Sequence, residues 1–395
     1  MYALYDFQVN RRKVLIAIGQ LLKAGHKATK EAIIDKSIVN GLDEFQAEKT
    51  IEEFVQRKIM EVDNDCYHLI VKFFEDWLIN NGLSQIITTF QEEQRIILRK
   101  KYEEQLRVKH DEINHLTQNW NTYKGKEITT DCVREWLSQF NDIENQRYAF
   151  KLLENIKLYT NNEIREKIED LFIEVKKEIR KHNEQFLSIK ASQRKTSGIV
   201  VSYLDNNPAK SGPEYAKIFV EKNNIYKGHS TEPEKISKKL SELENIDAIV
   251  FIDDFIGTGN SILENIKPIL KQNEEKLVEK GIIIIIGVIT GFLEAKHKVI
   301  EFIKKQKVRI SLKIMAPLDN SDKCFDEHSM VYPQPIERDK ALIAFRDIGT
   351  KLERKHPLGY GDCQATVIFP NTCPNNTLPI LWKETKDWRP IFKRG

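Results

Sequence analysis

The alternation of short apolar runs with helical segments after residue 195 is the feature that most constrains the fold. SGIVVSYL, AIVFID, IIIIIGVIT and VRISLKIM are rich in Ile and Val, and segments with helical spacing such as SILENIKPILKQ separate them. This alternation is typical of a parallel sheet with helices on both faces, and it predicts an α/β domain over residues 191–395. The longest apolar run, GIIIIIGVITGF, is too short to span a bilayer and predicts a core strand.

The stretch AIVFIDDFIGTGNS, residues 248–261, joins one predicted strand to the next helix. Ligands of parallel sheets bind beyond the carboxyl ends of the strands, which is where this stretch places Asp253 and Asp254. The glycine-rich turn offers backbone N–H groups to a phosphate, and the carboxylates suit sugar hydroxyls or a divalent cation. The pattern predicts a ribose 5-phosphate site, and a strand followed by a capped loop is the structural alternative. A Walker loop is excluded because the turn lacks Gly-Lys-Ser/Thr.

The same stretch resembles the phosphoribosyl-pyrophosphate signature of type I phosphoribosyltransferases, in which Asp-Asp, two apolar residues and Thr-Thr-Gly follow an apolar strand. The resemblance implies that Asp253 and Asp254 engage the ribose hydroxyls in the reaction. It implies a 5-phosphate loop made of Gly257, Thr258, Gly259, Asn260 and Ser261. It also implies a pyrophosphate loop, for which a plain surface loop is the alternative, made of Lys210, Ser211 and Gly212. Mg²⁺ would arrive with the substrate, and we assign no protein metal site. Gly257 departs from the threonine of the family and removes one hydroxyl donor.

The N-terminal segment, residues 1–80, predicts a separate module of three helices and a hairpin. Thr29 and Asp43 are suited to cap the second and third helices, and IMEVDNDCYHLIV predicts two short strands. This order resembles a winged helix-turn-helix domain, whose third helix usually reads the major groove of DNA. Residues 10–75 carry eleven Lys or Arg and eleven Asp or Glu residues, and the third helix is rich in Glu. Because such a module lacks attraction to phosphate, we expect docking of a protein or a single strand rather than reading of duplex DNA.

Residues 81–190 predict a helical connector. The segment EEQRIILRKKYEEQLRVKHDEINHLTQNW combines dense charge with apolar residues at helical spacing, which is typical of a solvated helix face or a dimerising coil. We therefore expect a homo-oligomer, at least a dimer. The five cysteines form no CxxC pair, and the N-terminus lacks an apolar signal segment. We expect reduced thiols in a cytoplasmic protein with no membrane partner.

The C-terminal segment resembles the tail of phosphoribosyltransferase-like effector domains from bacterial conflict systems. The resemblance is carried by Gly359–Gly361, a predicted strand at 365–369, Pro374–Asn376, and the Trp-rich ending. We expect the two tryptophans of that ending, Trp382 and Trp388, to pack in the core. With the N-terminal module ahead of it, the domain resembles effectors encoded beside retron reverse transcriptases. This resemblance covers residues 10–75 and about 130–395.

The resemblance implies a toxic effector of anti-phage defence that is restrained by partner binding. Its expected activity is that of a phosphoribosyltransferase-like transferase or a nucleotide glycosidic hydrolase, acting on a ribosyl phosphate or nucleotide. Its expected partners are a reverse transcriptase and the small reverse-transcribed DNA of that enzyme. The alternative is a non-catalytic sensor of a nucleotide or phosphosugar, whose winged helix docks a partner or DNA. Glu327 and His328 are further candidates for acid–base catalysis.

Overall fold

The computed structural model describes residues 2–120, 122–183, 198–205 and 211–394, with side chains from residue 8 onward. The chain separates into two compact units, Met1–Leu106 and Arg107–Gly395. The finer division into residues 1–80, 81–190 and 191–395 stays a prediction. In the part of the chain that the structure describes, no helix is both long and apolar enough to cross a membrane.

The first unit consists of helices and one antiparallel hairpin. Its elements are α1 (Tyr2–Lys23), α2 (Lys30–Val39), α3 (Glu44–Gln56), β1 (Met60–Asp63), β2 (Cys66–Leu69), α4 (Lys72–Trp77), a π-helical turn (Leu78–Gly82) and α5 (Leu83–Leu106). The predicted caps are confirmed, since Thr29 accepts from the Ala32 amide and Asp43 accepts from the Gln46 amide. β1 and β2 pair in antiparallel register. The order of helices and hairpin is as expected, and the assignment to the winged helix-turn-helix fold stays a prediction.

The outward face of α3 combines carboxylates with one large apolar side chain. Ala47, Ile51 and Phe54 are buried in the core of the first unit, whereas the Phe45 side chain is 72% exposed. Glu48 pairs with Lys30 at 2.9 Å. α3 carries four glutamates and one cation, Lys49, so it attracts phosphate little, which is consistent with the expectation that α3 does not read duplex DNA.

The second unit begins with helices that contribute to its cores. They are α6 (His110–Gln118), α7 (Thr130–Leu137), α8 (Ile143–Glu154) and α9 (Asn161–Arg180), with the short strand β3 (Lys157–Leu158) between the last two. The apolar spacing of RYAFKLLENIKLY predicts a helix over residues 147–159, and this is wrong for residues 157–158. The segment pairs in parallel with β8 (Val367–Ile368) near the end of the chain. Tertiary pairing has overridden a local helical preference, as it often does for short segments.

The α/β part follows the predicted alternation. Its elements are β4 (Ile199–Tyr203), α10 (Gly212–Lys222), α11 (Ile236–Glu242), β5 (Ala248–Ile256), α12 (Asn260–Glu279), β6 (Ile283–Phe292), α13 (Leu293–Ile303), β7 (Ile310–Leu318), α14 (Pro335–Leu352) and α15 (Pro379–Trp382). The strands β4, β5, β6 and β7 form one sheet in that order, and every neighbouring pair is parallel. The predicted mixed α/β architecture with a parallel sheet is therefore confirmed.

Both faces of this sheet are covered, and its strands carry apolar side chains at most positions of both faces. Alternate residues such as Val250 and Ile285 belong to a core shared with α9 and α10. Their neighbours Ile249 and Ile284 belong to a second core shared with α11, α12 and α13. Ten residues of the run GIIIIIGVITGF form the fully buried strand β6, so the predicted core strand is confirmed. Continuous burial of this kind is characteristic of a parallel strand between two helical layers.

The tail after α14 adds a third apolar core. Trp382 and Trp388 are 9% and 6% exposed, so their predicted core location is confirmed. Trp388 packs edge to face on Trp136, with ring centroids 6.4 Å apart. The indole N–H of Trp382 donates to Thr377 O at 2.8 Å, and that of Trp388 donates to Ile380 O at 3.0 Å. The tryptophans thus fix the path of the tail across the unit.

Candidate functional site

The two aspartates lie where one strand of the sheet outruns its neighbour. β4 ends at Tyr203, which pairs with Ile252 of β5. β5 continues through Asp253 and Asp254 to Ile256, still paired with β6. The sequence predicts that the strand ends at Asp253, and the pairing with β6 explains why it runs further. The step between β4 and β5 leaves the two carboxylates at the carboxyl edge of the sheet, the usual place for a ligand in this architecture.

The start of α10 closes against this step. A Cβ on Gly212 would lie 3.0 Å from Cβ of Tyr203, so glycine allows the helix to approach the end of β4 closely. Ser211, which precedes the helix, donates its hydroxyl proton to Oδ2 of Asp254. The Asp254 amide donates to Oδ1 of Asp253 at 3.0 Å. The structure therefore brings Ser211 and Gly212 to the aspartates, as the resemblance implies, whereas Lys210 lies outside the described residues.

The loop at residues 257–261 leads from β5 into α12. Gly259 has φ +77°, a conformation that favours glycine, and it precedes the first turn of the helix. The Asn260 amide donates to Oγ1 of Thr258 at 3.4 Å, and the Lys298 ammonium donates to Oδ1 of Asn260. The backbone thus turns tightly at the helix N-terminus, the geometry in which N–H groups converge on an anion.

The C-terminal tail covers part of this loop. A Cβ added to Gly257 would lie 2.3 Å from Nδ2 and 2.4 Å from Cγ of Asn376. Gly361, with φ +66°, lies against the loop from another side, since a Cβ there would stand 2.6 Å from Cγ2 of Thr258. The motifs Gly359–Gly361 and Pro374–Asn376 therefore meet at the predicted phosphate loop, although they come more than a hundred residues later in the chain.

A cavity of about 380 Å³ opens between the sheet edge and the tail. This volume lies in the usual range for a small-molecule site. Its walls come from the end of β4, the start of α10, the aspartates, the first turns of α12 and the tail. Several polar residues that were not predicted from the sequence as site residues also line the cavity. They include Asp205, Glu214, Asn265, Asn371, Asn375, Asn376 and Arg394.

The loop residues differ in their relation to this cavity. Ser261 borders it together with Asp253 and Asp254. Gly257, Thr258, Gly259 and Asn260 are not among its lining residues within the described part of the chain. The tail accounts for two of these, because Asn376 covers Gly257 and Gly361 covers Thr258. Glu327 and His328 are 79% and 70% exposed at their side chains and do not border the cavity either.

Burial changes the acid–base behaviour of the site. Burial of the carboxyl raises the pKa of Asp254, although hydrogen bonds from Ser211 and from backbone amides act in the opposite direction. Burial also raises the pKa of Tyr215, and the neighbouring Asp254 carboxylate adds to the effect. A carboxyl with a raised pKa in a cavity is a candidate for proton transfer.

The charges around the cavity are unbalanced among the described lining residues. Asp205, Glu214, Asp253 and Asp254 are carboxylates, and Arg394 is the one cation among them. Glu214 accepts a hydrogen bond from the Asn371 carboxamide at 3.0 Å. An anionic ligand would need further positive charge here, which a bound divalent cation supplies.

The two aspartates are the groups of this site that could bind a divalent cation. The described residues contain no group of three or more His, Cys, Asp or Glu side chains arranged to hold a metal ion. Two adjacent carboxylates nevertheless fit Mg²⁺, which usually keeps water and binds through one or two carboxylates together with substrate oxygens.

These features define a phosphoribosyltransferase-like α/β domain, with a parallel sheet, an Asp-Asp strand end and a glycine-containing loop at a helix N-terminus. A family model described as PRTase-CE matches residues 133–394, which is more than half of the chain. The protein belongs to the PRTase-CE family. The match begins within α7, so α8, α9 and the tail lie inside the family domain together with the sheet. No curated protein and no solved structure matches the chain.

Proposed function

We propose that the protein is a phosphoribosyltransferase-like effector that acts on a ribosyl phosphate or a nucleotide in the Asp253–Asp254 cavity. The observation that carries this proposal is the position of both aspartates at the step between β4 and β5, in a cavity bordered by Ser211, Gly212 and Ser261. This arrangement suits a ligand that carries both a diol and a phosphate. Membership of the PRTase-CE family supports the same class of activity.

The proposed chemistry takes place at the anomeric carbon. Its bond to the leaving group breaks, and the electron pair leaves with that group. An acceptor or water then forms the new bond and gives up a proton. Such a reaction passes through an oxocarbenium-like state, so positioning and electrostatic stabilisation matter more than a strong nucleophile. Asp253 is assigned to the ribose hydroxyls, and Asp254 is assigned to hold or accept the proton, because burial raises its pKa.

Magnesium belongs to this proposal as a component of the bound substrate. When bound, it would neutralise charge on the phosphate groups of the ligand. Asp253 would hold it through the ligand and water, and Arg394 would face the anionic end of the ligand. The excess of carboxylates among the described lining residues supports this need for a cation.

The first unit is proposed as the regulatory handle. A free effector of this kind would damage its own cell, so we propose that it is restrained in the cytoplasm by a partner bound to the winged-helix-like module. The proposed partner is a retron reverse transcriptase with its small reverse-transcribed DNA, within anti-phage defence. The acidic and apolar face of α3 supports docking of a protein rather than duplex DNA. Co-purification of a chain lacking residues 1–80 with the reverse transcriptase, as efficient as that of the full chain, would refute this part.

The test of the activity compares nucleotide pools by untargeted mass spectrometry. Cells would express the full chain or its Asp253→Asn or Asp254→Asn variant, in each case without the restraining partner. We expect one nucleotide or ribosyl phosphate to be consumed by the wild type only. Calorimetric titration with phosphoribosyl pyrophosphate and Mg²⁺ then measures binding. Absence of any change in the pools, together with no binding of ribose 5-phosphate or nucleotides, would refute the proposal.

A non-catalytic sensor is the second candidate, and one observation favours it. Asn376 and Gly361 cover Gly257 and Thr258. These two residues of the loop therefore do not line the cavity, where an enzyme would need them to hold the phosphate during turnover. The aspartate variants separate the two candidates. Loss of toxicity at unchanged ligand affinity supports the enzyme, whereas loss of affinity and response together supports the sensor.

A further inference from the structure

A second cavity, of about 340 Å³, lies next to the Asp253–Asp254 cavity and is bordered by α9, α10 and the tail. The two cavities have three lining residues in common, namely Glu214, Tyr215 and Asn371. The Asn371 carboxamide donates to Oε1 of Glu214 at 3.0 Å, and both residues are exposed. This part of the wall between the cavities is therefore a pair of surface side chains, and a ligand in one cavity can extend across it into the other.

Tyr215 is the buried member of this shared wall. It is 4% exposed, and its ring packs on Phe369 with the centroids 6.1 Å apart. Burial raises the pKa of its phenol, and the carboxylates of Asp254 and Glu214 add to the effect, so the hydroxyl lies on the side of these two groups and keeps its proton. The hydroxyl forms no hydrogen bond within the described residues. Because a buried donor without an acceptor is costly, a ligand that supplies an acceptor here gains affinity.

The rest of the second cavity combines aliphatic surface with planar polar groups. Ile164 of α9 and Ile218 of α10 border it, and Arg165 and Asn161 bring a guanidinium and a carboxamide to the same space. Arg165 takes part in no salt bridge within the described residues. A nucleobase has two apolar faces and a polar edge. Because guanidinium groups stack on such faces and amides pair with such edges, this lining has the chemistry that recognises a base.

The balance of charge argues against an anion in the second cavity. Its two cations among the described lining residues, Arg165 and Lys217, are offset by two carboxylates, Glu214 and Glu221. Phosphate is bound where positive charge or several N–H donors converge. A neutral base needs no such excess of positive charge, so the second cavity favours a base over a second phosphate.

We infer that the second cavity is a nucleobase subsite, and that Tyr215 donates a hydrogen bond to the base of a nucleotide whose ribosyl phosphate lies in the Asp253–Asp254 cavity. The inference rests on the proposed function and narrows its substrate from a ribosyl phosphate to a nucleotide. Tyr215 and Ile218 follow Gly212 by three and six residues, so one face of α10 leads from the aspartates into the subsite. Purine N3 and pyrimidine O2 are acceptors next to the glycosidic bond, where a donor between the two cavities would meet them.

The test is calorimetric titration of the full chain with Mg²⁺ and two kinds of ligand. Ribose 5-phosphate lacks a base, and the 5′-monophosphates of adenosine, guanosine, cytidine and uridine carry one. The wild type should bind at least one of these nucleotides about 10-fold or more tightly than ribose 5-phosphate, because the base gains stacking contacts. Tyr215→Phe removes only the hydroxyl and keeps the ring on Phe369. It should weaken binding of that nucleotide about fivefold, with the affinity for ribose 5-phosphate within about twofold of the wild type.

Two variants of Arg165 separate a base from an anion. Arg165→Ala removes both the charge and the plane of the guanidinium, whereas Arg165→Lys keeps the charge alone. Both should weaken binding of the nucleotide about threefold or more, because stacking on the base is lost in each. Wild-type affinity in Arg165→Lys together with a loss in Arg165→Ala would show that the cavity holds an anionic group and would overturn the inference.

Tyr159→Phe is the matched control, because Tyr159 also packs on Phe369, with ring centroids 5.4 Å apart, but borders neither cavity. Both affinities should remain within about twofold of the wild type in this variant. Equal affinity of the wild type for ribose 5-phosphate and all four nucleotides would overturn the inference, while the proposed function stands. An equal loss for both kinds of ligand in Tyr215→Phe would overturn it too. If the wild type binds neither kind, the proposed function fails first and the inference falls with it.

Discussion

The two units differ in what they leave at their surfaces. The first unit is the smaller, yet it exposes most of the large apolar side chains that the structure leaves uncovered in the described residues. They are Ile38, Val39, Phe45, Val62, Ile70, Val71, Phe73, Ile96, Ile97, Leu98 and Tyr102. The second unit instead places a carboxyl, the half-buried Asp254, in a cavity at the edge of an apolar sheet.

Apolar side chains are usually buried and carboxylates are usually exposed, and each unit departs from this rule in its own way. A small unit with many exposed apolar side chains is a candidate for a surface that another macromolecule covers. A buried carboxyl with a raised pKa is typical of a site where chemistry occurs. We therefore propose that the first unit serves recognition and the second unit serves chemistry.

The largest expected effect is loss of activity on substitution of either aspartate. Asp253→Asn and Asp254→Asn should each lower turnover about 100-fold or more, because a group aimed at developing charge is lost. Association with the partner should not change, since the first unit is untouched. Conversion of the nucleotide by purified protein and co-purification with the partner measure the two effects.

Asp319→Asn is the matched control for this prediction. Asp319 also directly follows a strand of the sheet, β7, but it does not border the Asp253–Asp254 cavity. Turnover should remain within about twofold of the wild type. An equal loss of turnover in this variant would mean that the aspartate effects are not specific to the cavity.

The second prediction concerns recognition. Phe45→Glu and Phe73→Glu change side chains that are 72% and 81% exposed in the first unit. Each should weaken partner binding about 10-fold or more, the size of effect seen when a large anchor residue of an interface is lost. Turnover by the free protein should be unchanged. Binding would be measured with immobilised partner across a concentration series.

Ile336→Glu is the control, because Ile336 is 76% exposed but belongs to the second unit. It should leave partner binding unchanged. A similar loss in this variant, or tight sequence-specific binding of duplex DNA by the isolated first unit, would break the separation of tasks drawn above.

Sequence patterns predicted the elements of both units because those patterns are local. Runs of β-branched residues predicted the strands of the sheet. Thr29 and Asp43 cap helices through hydrogen bonds to residues only three positions later in the sequence. The short strand at Lys157–Leu158 was missed because its partner is β8, far away in the sequence. No local pattern distinguishes such a segment from the end of a helix.

The candidate site divides in the same way. Asp253, Asp254, Ser211, Gly212 and Ser261 were selected from contiguous motifs, and all border the cavity. The tail residues Asn376 and Arg394 were missed as ligand candidates, because tertiary packing alone brings them there. One signal was present in the sequence. A glycine at position 257, where the family has threonine, indicates that another part of the chain occupies the space.

The third prediction is a change in mass. α5 exposes Leu98 by 63% and Ile97 by 37%, and we expect this helix to associate with a second copy. Light scattering should give at least a dimer for the wild type and the mass of a monomer for Leu98→Glu. Lys101→Glu, a charge change on the same helix, is the control and should remain dimeric. A wild type that is monomeric across the concentration series would contradict the expectation.

The smallest expected effect is on stability, and its dependence on pH is diagnostic. Burial raises the pKa of Asp254 above its ordinary value of 3.8, so the folded protein retains this proton at pH values where the unfolded chain has lost it. The contribution of this group to the free energy of unfolding is therefore largest in acid. That contribution is lost as the pH rises through the pKa of the folded state. Asp254→Asn removes that penalty. Without ligand, the variant should melt at a higher temperature than the wild type at pH 8, and the gain should shrink as the pH falls toward 4.

The pKa of Asp319 is shifted in the opposite direction, because hydrogen bonds from Ser321 lower it. Asp319→Asn should therefore melt slightly below the wild type at pH 8, with a difference that vanishes in acid. Melting curves of both variants across this pH range test the contrast, and a gain for Asp254→Asn that is independent of pH would show that burial of its charge is not the cause.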